Sequence, residues 1–252
     1  MNLPLHMSIV AFDIESYGRR TESEQRELRT AMYAVAREAL TATGLDWDDC
    51  VLLDRGDSLL ALCPPSCSPV LLVDTFTETL TRALTDRAGQ PGVPVMRLRL
   101  SINVGLATPD ENGWVGNAIN ATCRLLDLPM LRTVLAAADR APLALILSEE
   151  LYQATVAQRH TRLVPEACRA VPVAMKELKT QGWISVPGYA TPPGITDDAV
   201  ENAAQEELGP ASPSLASMQA EGAIFTGSVS VGNGGRLAGR DFIENPPAGG
   251  TR

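Results

Sequence analysis

The stretch Cys50–Pro65, CVLLDRGDSLLALCPP, restricts the possible folds of this chain more than any other. Two apolar runs, each the length of a short strand, are joined only by Asp54, Arg55, Gly56 and Asp57. A polar, glycine-containing link of that length reads as a tight turn, so the runs pair as an antiparallel hairpin. A sheet that contains them cannot be all parallel. Aspartate is an ordinary turn residue because its carboxylate bonds nearby backbone. Asp57, at the strand edge beside Arg55, is therefore either a turn residue or a ligand.

Helical and extended patterns alternate around the hairpin. Residues 8–14, SIVAFDI, form a strand that ends at a carboxylate. In TESEQRELRTAMYAVAREAL, Thr21 and Glu24 make a capping box. Leu28, Met32, Val35, Ala36, Ala39 and Leu40 then recur at helical spacing and define one core face. A second helix is expected around residues 70–87, between Pro69 and GQPGVP. VMRLRLSINVGLA alternates as a strand, with Met96, Leu98 and Leu100 on one face and Arg97, Arg99 and Ser101 on the other. GNAINATCRLLDLPMLRTVLAAADR reads as helix, broken or restarted at Pro129. LALILS is a buried strand, EELYQATV a helix, and VPVAMKEL with GWISVPG a closing strand pair. Alternating helices and strands around an antiparallel hairpin give an α+β class.

A chain of 252 residues, 45% of them hydrophobic, suffices for one full-sized domain with an appendage. The domain is expected over residues 1–190. Residues 191–252 carry eight acidic and three basic side chains, no lysine, and much Pro, Gly, Ala and Ser, the composition of a disordered tail. Within it, residues 222–245 alternate small and apolar side chains around Gly-Asn-Gly-Gly, as a short hairpin would. The formal charge of −9, with no basic run, argues against nucleic acid or an anionic membrane as partner. The first residues lack a basic leader, and no uncharged run is long enough to span a bilayer. Five cysteines without framework spacing, and two histidines far apart at 6 and 160, suggest reduced thiols, no zinc site and a cytoplasmic location.

Three motifs follow in order: Phe12-Asp13-Ile14 at the end of the first strand, Gly56-Asp57 in the hairpin turn, and the run Gly116-Asn117-Ala118-Ile119-Asn120-Ala121-Thr122-Cys123-Arg124-Leu125. Together they resemble the catalytic domain of class III nucleotidyl cyclases, the adenylyl and guanylyl cyclase homology domain. The last motif fits every fixed position of the family's Gly-Asn-x-x-Asn-x-x-x-Arg-Leu. DIESYG, DRGDSLLALCP, CRLLDLP and VAMKELKTQGWISVPG are also similar to a group of stand-alone cyclase-like domains from actinobacteria.

The resemblance implies a ferredoxin-like βαββαβ core sheet covered by helices, over roughly residues 8–187. It implies a nucleoside triphosphate substrate, two Mg²⁺ or Mn²⁺ ions and a homodimer. Asp13, Ile14 and Asp57 would hold metal, since such ions take hard carboxylate ligands placed close together. Asn120 and Arg124, four residues apart on one helix face, would hold the ribose and neutralise charge on the α-phosphate. Lys176, or Lys179 in its stead, matches the family's late phosphate lysine. Arg55 and Arg99 either line the phosphate path or solvate a face.

The departures lie at the base. The positions where adenylyl cyclases read the adenine edge with a lysine and an aspartate are Leu53 and Gly113, and Asn103 replaces the usual histidine. This fits an enzyme with another base preference, such as the pyrimidine of bacterial antiphage cyclases. It equally fits a catalytically degenerate, nucleotide-binding or regulatory adaptor whose tail recruits a signalling partner. Residues 222–245 resemble the short amyloid-like signalling motifs of bacterial defence proteins, which implies self-association or strand addition to a partner protein.

Overall fold

A computed structural model describes residues 3–175 and 178–196. The chain divides into two units, Met1–Glu207 and Leu208–Arg252, and every described residue lies in the first. The segment 222–245, most of the expected tail and Lys176 lie outside the described residues, as does the side chain of Lys179.

The first strand, β1 (Leu5–Ile14), leads into α1 (Glu22–Ala42) and then the hairpin of β2 (Val51–Asp54) and β3 (Ser58–Cys63). A helical stretch follows as α2 (Pro69–Leu71), a π-turn (Leu72–Phe76) and α3 (Thr77–Ala88). Next come β4 (Leu98–Asp110), β5 (Gly113–Val115), α4 (Asn117–Asp127), α5 (Pro129–Ala137), β6 (Leu143–Ser148), α6 (Glu149–Ala154), β7 (Arg169–Met175) and β8 (Leu178–Ser185). The sheet order is β2-β3-β1-β4-β6-β8-β7, with β5 paired to β4 alone. Its first four strands are antiparallel and, with α1 and α3, make the expected βαββαβ core. Among the described residues only β4 and β6 pair in parallel. The α+β expectation holds.

The capping box forms as read: Thr21 N–H donates to Glu24 Oε2 (2.9 Å), and Glu24 N–H donates to Thr21 Oγ1 (3.4 Å). Every residue assigned to the core face of α1 is buried. Strand alternation sorts β1 between two helical layers. Val10, Phe12 and Ile14 join Leu28, Met32, Leu80 and Leu100 in one core cluster. Met7, Ile9 and Ala11 join Leu125, Leu126, Leu131 and Leu135 of α4 and α5 in the other. By the same alternation Asp13 and Arg99 face α4 and α5. That register places the site.

Three boundaries differ from the sequence reading. The fourth strand starts at Leu98 rather than 95, and continues past Ala107 to fold back through Asp110–Gly113 as β5. Asn112 N–H donates to Asp110 Oδ1 (2.8 Å), an Asx turn that the Pro-Asp-Glu-Asn run concealed. The packed chain also outlasts the boundary expected at residue 190: Pro192 is buried and Ile195 packs on the α5 side of the sheet.

Candidate functional site

The hairpin turn answers the question raised by its two aspartates. Asp54 is the turn residue. Its Oδ1 accepts from Gly56 N–H (2.8 Å), and Gly56 has φ +85°, where glycine is favoured. Arg29 of α1 grips the Asp54 carboxylate with two N–H groups and also donates to Gly56 C=O (2.8 Å), while Tyr33 Oη donates to Asp54 Oδ2 (2.7 Å). The Arg29, Gly56 and Tyr33 donors hold the Asp54 carboxyl well below the usual carboxylate range. Asp57 is thereby left over. Its backbone C=O accepts from Ile14 N–H (3.1 Å), tying the hairpin tip to the end of β1. Its exposed carboxylate makes no hydrogen bond or ion pair among the described residues.

Asp13 and Asp57 line one cavity of about 220 Å³, together with Arg55, Arg99, Cys123, Asp127 and Arg132. Asp13 stands opposite Arg99 in the β1–β4 ladder and Ser58 in the β1–β3 ladder. Arg99 Nε donates to Asp13 Oδ1 (2.8 Å) and its Nη2 to Oδ2, and both side chains are nearly buried, at 11% and 12% exposure. Burial pushes the Asp13 carboxyl up; the hydrogen bond and charge of Arg99 oppose the rise, and the charges of Asp57 and Asp127 add to it. Arg55 shares the cavity, but its guanidinium reaches Cys123 Sγ (3.5 Å) on α4 rather than pairing with Asp57. Arg97, the neighbour of Arg99 on the same strand face, is spent on structure. It donates to the carbonyls of Leu135, Ala138 (2.8 Å) and Ala141 (3.1 Å), closing the C-terminal end of α5. Ile14 lines an adjoining cavity with Glu15–Arg19, Asp57, Arg99 and Arg132, while its side chain is core.

Asn120 and Arg124 line a different cavity, about 440 Å³, with Asn103, Asn117, Ser148, Glu149, Glu150 and Thr180. The two cavities share no lining residue. Helix α4 lies between them: Asn117, Asn120, Ala121 and Arg124 face one, and Cys123, Leu126 and Asp127 the other. Asn120 and Arg124 are exposed, and Arg124 forms no ion pair among the described residues. Leu53 and Gly113 line neither cavity. Leu53 packs against the α4–α5 core, and Gly113 sits at the β4–β5 turn with φ +138°.

The sequence reading missed Asp127 and Arg132. The signal was available for Asp127, since Cys123, Leu126 and Asp127 recur at i+3 and i+4 on the face of α4 opposite Asn120. Arg132 arrives from α5, beyond the Pro129 break, where no helical periodicity from α4 extends.

Close approach sets the position of α4. Asn103 is 5% exposed; its Nδ2 donates to Ala118 C=O (3.1 Å), and its Oδ1 accepts from Val104 N–H (2.8 Å). Asn103 thus anchors the first turn of the helix. At Gly116, which precedes that turn, an added Cβ would stand 2.6 Å from Leu106 O and 3.1 Å from Ala107 Cα. Both are backbone atoms that cannot swing aside. Gly116→Ala is expected to destabilise the domain by about 1–3 kcal/mol, which a thermal melt would register as a drop of roughly 2–4 °C per kcal/mol. An unchanged melting temperature would show that the α4 entry is looser than this packing.

No family model matches the sequence, and no curated protein does. Solved structures do match. An adenylate/guanylate cyclase/hydrolase from Silicibacter pomeroyi superposes with a TM-score of 0.55 at 18% identity, over 74% of this chain and 99% of that one. The guanylyl cyclase Cya2 gives 0.51 at 15% identity, over 73% and 92%. The adenylyl cyclase CyaB from P. aeruginosa gives 0.50 at 14%, over 78% and 100%. Among the described residues no helix is long and apolar enough to cross a membrane. The fold of this chain is that of the class III adenylyl/guanylyl cyclase domains.

Proposed function

We propose that the chain is a divalent-metal-dependent nucleotidyl cyclase that works as a homodimer, converting a nucleoside triphosphate to a 3′,5′-cyclic nucleotide and pyrophosphate. The observation that carries this reading is the division made by α4. One cavity holds paired carboxylates with arginines, the other an asparagine and an unpaired arginine, and within one chain they face apart. Each is half of a phosphoryl-transfer site. An isologous pairing of two chains brings unlike halves together twice.

Asp13 and Asp57 would hold Mg²⁺ or Mn²⁺. The donor set fits such ions, which bind through one or two carboxylates and complete their shell with water and substrate phosphates. Among the described residues no group of three His, Cys, Asp or Glu is placed to cage a metal. A bound cation would supply charge neutralisation at the phosphates and favour loss of the ribose hydroxyl proton to solvent water. The ribose 3′-oxygen attacks the α-phosphorus, the bond to the bridging oxygen breaks, and pyrophosphate leaves with the electron pair. Arg124 donates to the α-phosphoryl oxygens as charge develops there, and Asn120 orients the ribose for in-line attack. Lys176 would meet the outer phosphates. Neither Leu53 nor Gly113 can hydrogen-bond a base edge through a side chain, which favours a base other than adenine.

A second reading, a non-catalytic nucleotide-binding adaptor, is favoured by the same two positions. In that reading the segment 222–245 recruits the partner. Incubation of the full chain with each of the four nucleoside triphosphates and Mn²⁺ separates the two. Cyclic product and pyrophosphate from at least one triphosphate is the expected result. No product from any of them, with the protein folded and dimeric, would leave the adaptor.

A further inference from the structure

The carboxylate cavity is electrically balanced before any ligand enters it. Asp13, Asp57 and Asp127 face Arg55, Arg99 and Arg132 across its walls. A divalent cation arriving alone meets no net negative charge. It also meets a competitor, because the Arg99 guanidinium takes both oxygens of Asp13 in a paired, nearly buried geometry. Fork-to-fork pairs of this kind are among the stronger hydrogen-bonded contacts, and at such low exposure solvent screens them little. A cation beside Asp13 would stand against a fixed positive charge.

Arg99 has somewhere to go. It lines both the carboxylate cavity and the adjoining one formed by Ile14–Arg19 with Asp57 and Arg132. Arg19, Arg99 and Arg132 outnumber Glu15 and Asp57 on the walls of that second cavity, a net positive lining that suits a polyanion. A triphosphate there would offer Arg99 oxygens that match its donor fork as well as a carboxylate does.

We propose that Arg99 is a latch that makes cation binding at Asp13 conditional on a polyphosphate. Without one, the guanidinium holds Asp13 and excludes the metal. A triphosphate draws the guanidinium into the adjoining cavity, releases both Asp13 oxygens and adds the negative charge that a cation needs. Metal and triphosphate therefore bind with strong positive coupling, and by linkage each raises the affinity of the other equally. This inference rests on the reading of Asp13 and Asp57 as the metal ligands.

The test is equilibrium dialysis of the full chain against Mn²⁺, with and without inorganic triphosphate, counting manganese in excess over the protein-free compartment. Inorganic triphosphate carries no ribose, so no reaction intervenes. For the wild type, manganese uptake at a fixed free concentration is expected to rise about tenfold or more when triphosphate is present, the scale of ordinary binding coupling. Arg99→Met should take up Mn²⁺ without triphosphate, and its gain from triphosphate should largely vanish. Should Arg99→Met not fold, Arg99→Gln, which removes the charge and the paired donor fork, is measured in its place with the same expectation, and a gain from triphosphate as large in the Arg99 variant as in the wild type would overturn the latch. Equal uptake by the wild type in both conditions, abolished by Asp57→Asn, would overturn the latch and keep the carboxylate site. Uptake indifferent to Asp57→Asn in every condition would overturn the site reading itself.

Discussion

Arg124→Ala is expected to lower cyclic-nucleotide formation by about a hundred- to a thousand-fold, the cost of removing one donor aimed at a developing phosphoryl charge. The loss should appear in turnover, because the interaction strengthens only as charge accumulates on the α-phosphate. Stability should not follow it. Arg124 is exposed and makes no ion pair among the described residues, so the melting temperature should stay within the range of ordinary surface changes. Arg124→Lys keeps the charge but not the planar fork, and should recover only part of the rate. Single-turnover measurement of cyclic product with wild type and both variants checks this. Equal rates in all three would remove Arg124 from the reaction.

The two aspartates of the hairpin turn should behave in opposite ways. Metal and triphosphate at one hundred times their dissociation constant add about 2.7 kcal/mol to the folded state, roughly 5–10 °C in a domain of this size. Asp57→Asn is expected to abolish that shift and leave the ligand-free melt unchanged, because among the described residues no hydrogen bond or ion pair uses its carboxylate. Asp54→Asn should do the reverse, lowering the ligand-free melting temperature while the shift survives. The pH dependence separates them further. The Asp54 carboxyl is held well below its unfolded value by Arg29, Gly56 N–H and Tyr33. Its contribution is therefore complete above an unfolded pKa near about 4 and fades as pH falls below it. The gap between wild type and Asp54→Asn should close on the acid side. A ligand-free Asp57→Asn protein as unstable as Asp54→Asn would make Asp57 a turn residue after all.

The fold was legible where local pattern and packing agree. The α1 core face, the capping box, the hairpin and the restart of helix at Pro129 each rest on neighbours in sequence, and each formed as read. The β4–β5 turn did not declare itself, since Pro109, Asp110 and Asn112 look like the end of a strand, and only pairing across the turn reveals the return. The π-turn at Leu72–Phe76 is likewise hidden: Leu72, Val73 and Phe76 are buried at ordinary helical spacing, i+3 and i+4, so the apolar pattern does not distinguish the wider turn from an α-helix. At the site, residue types at family spacing pointed to Asp13, Asp57, Asn120 and Arg124; the first two line one cavity and the last two another. What they do to one another is tertiary. The grip of Arg99 on Asp13 depends on strand register across 86 positions of chain, and Asp127 and Arg132 reach the cavity from α4 and α5. The assignment of Asp54 to the turn required Arg29 and Tyr33, one helix away.

Whether the two cavities complete one another across a dimer is tested most directly by complementation. Asp13→Asn and Arg124→Ala should each be inactive alone, since both sites of either homodimer lack one member. Mixed and allowed to exchange chains, they form heterodimers in which one site carries both substitutions and the other carries neither. With about half the dimers mixed and one intact site in each, activity should recover to about a quarter of wild type. If catalysis is absent, the same arithmetic applies to metal–nucleotide binding, counted as sites per dimer. Recovery near a quarter is the predicted result. No recovery, with chain exchange shown by differently tagged copies, would place all four residues in a single chain's site and contradict the account.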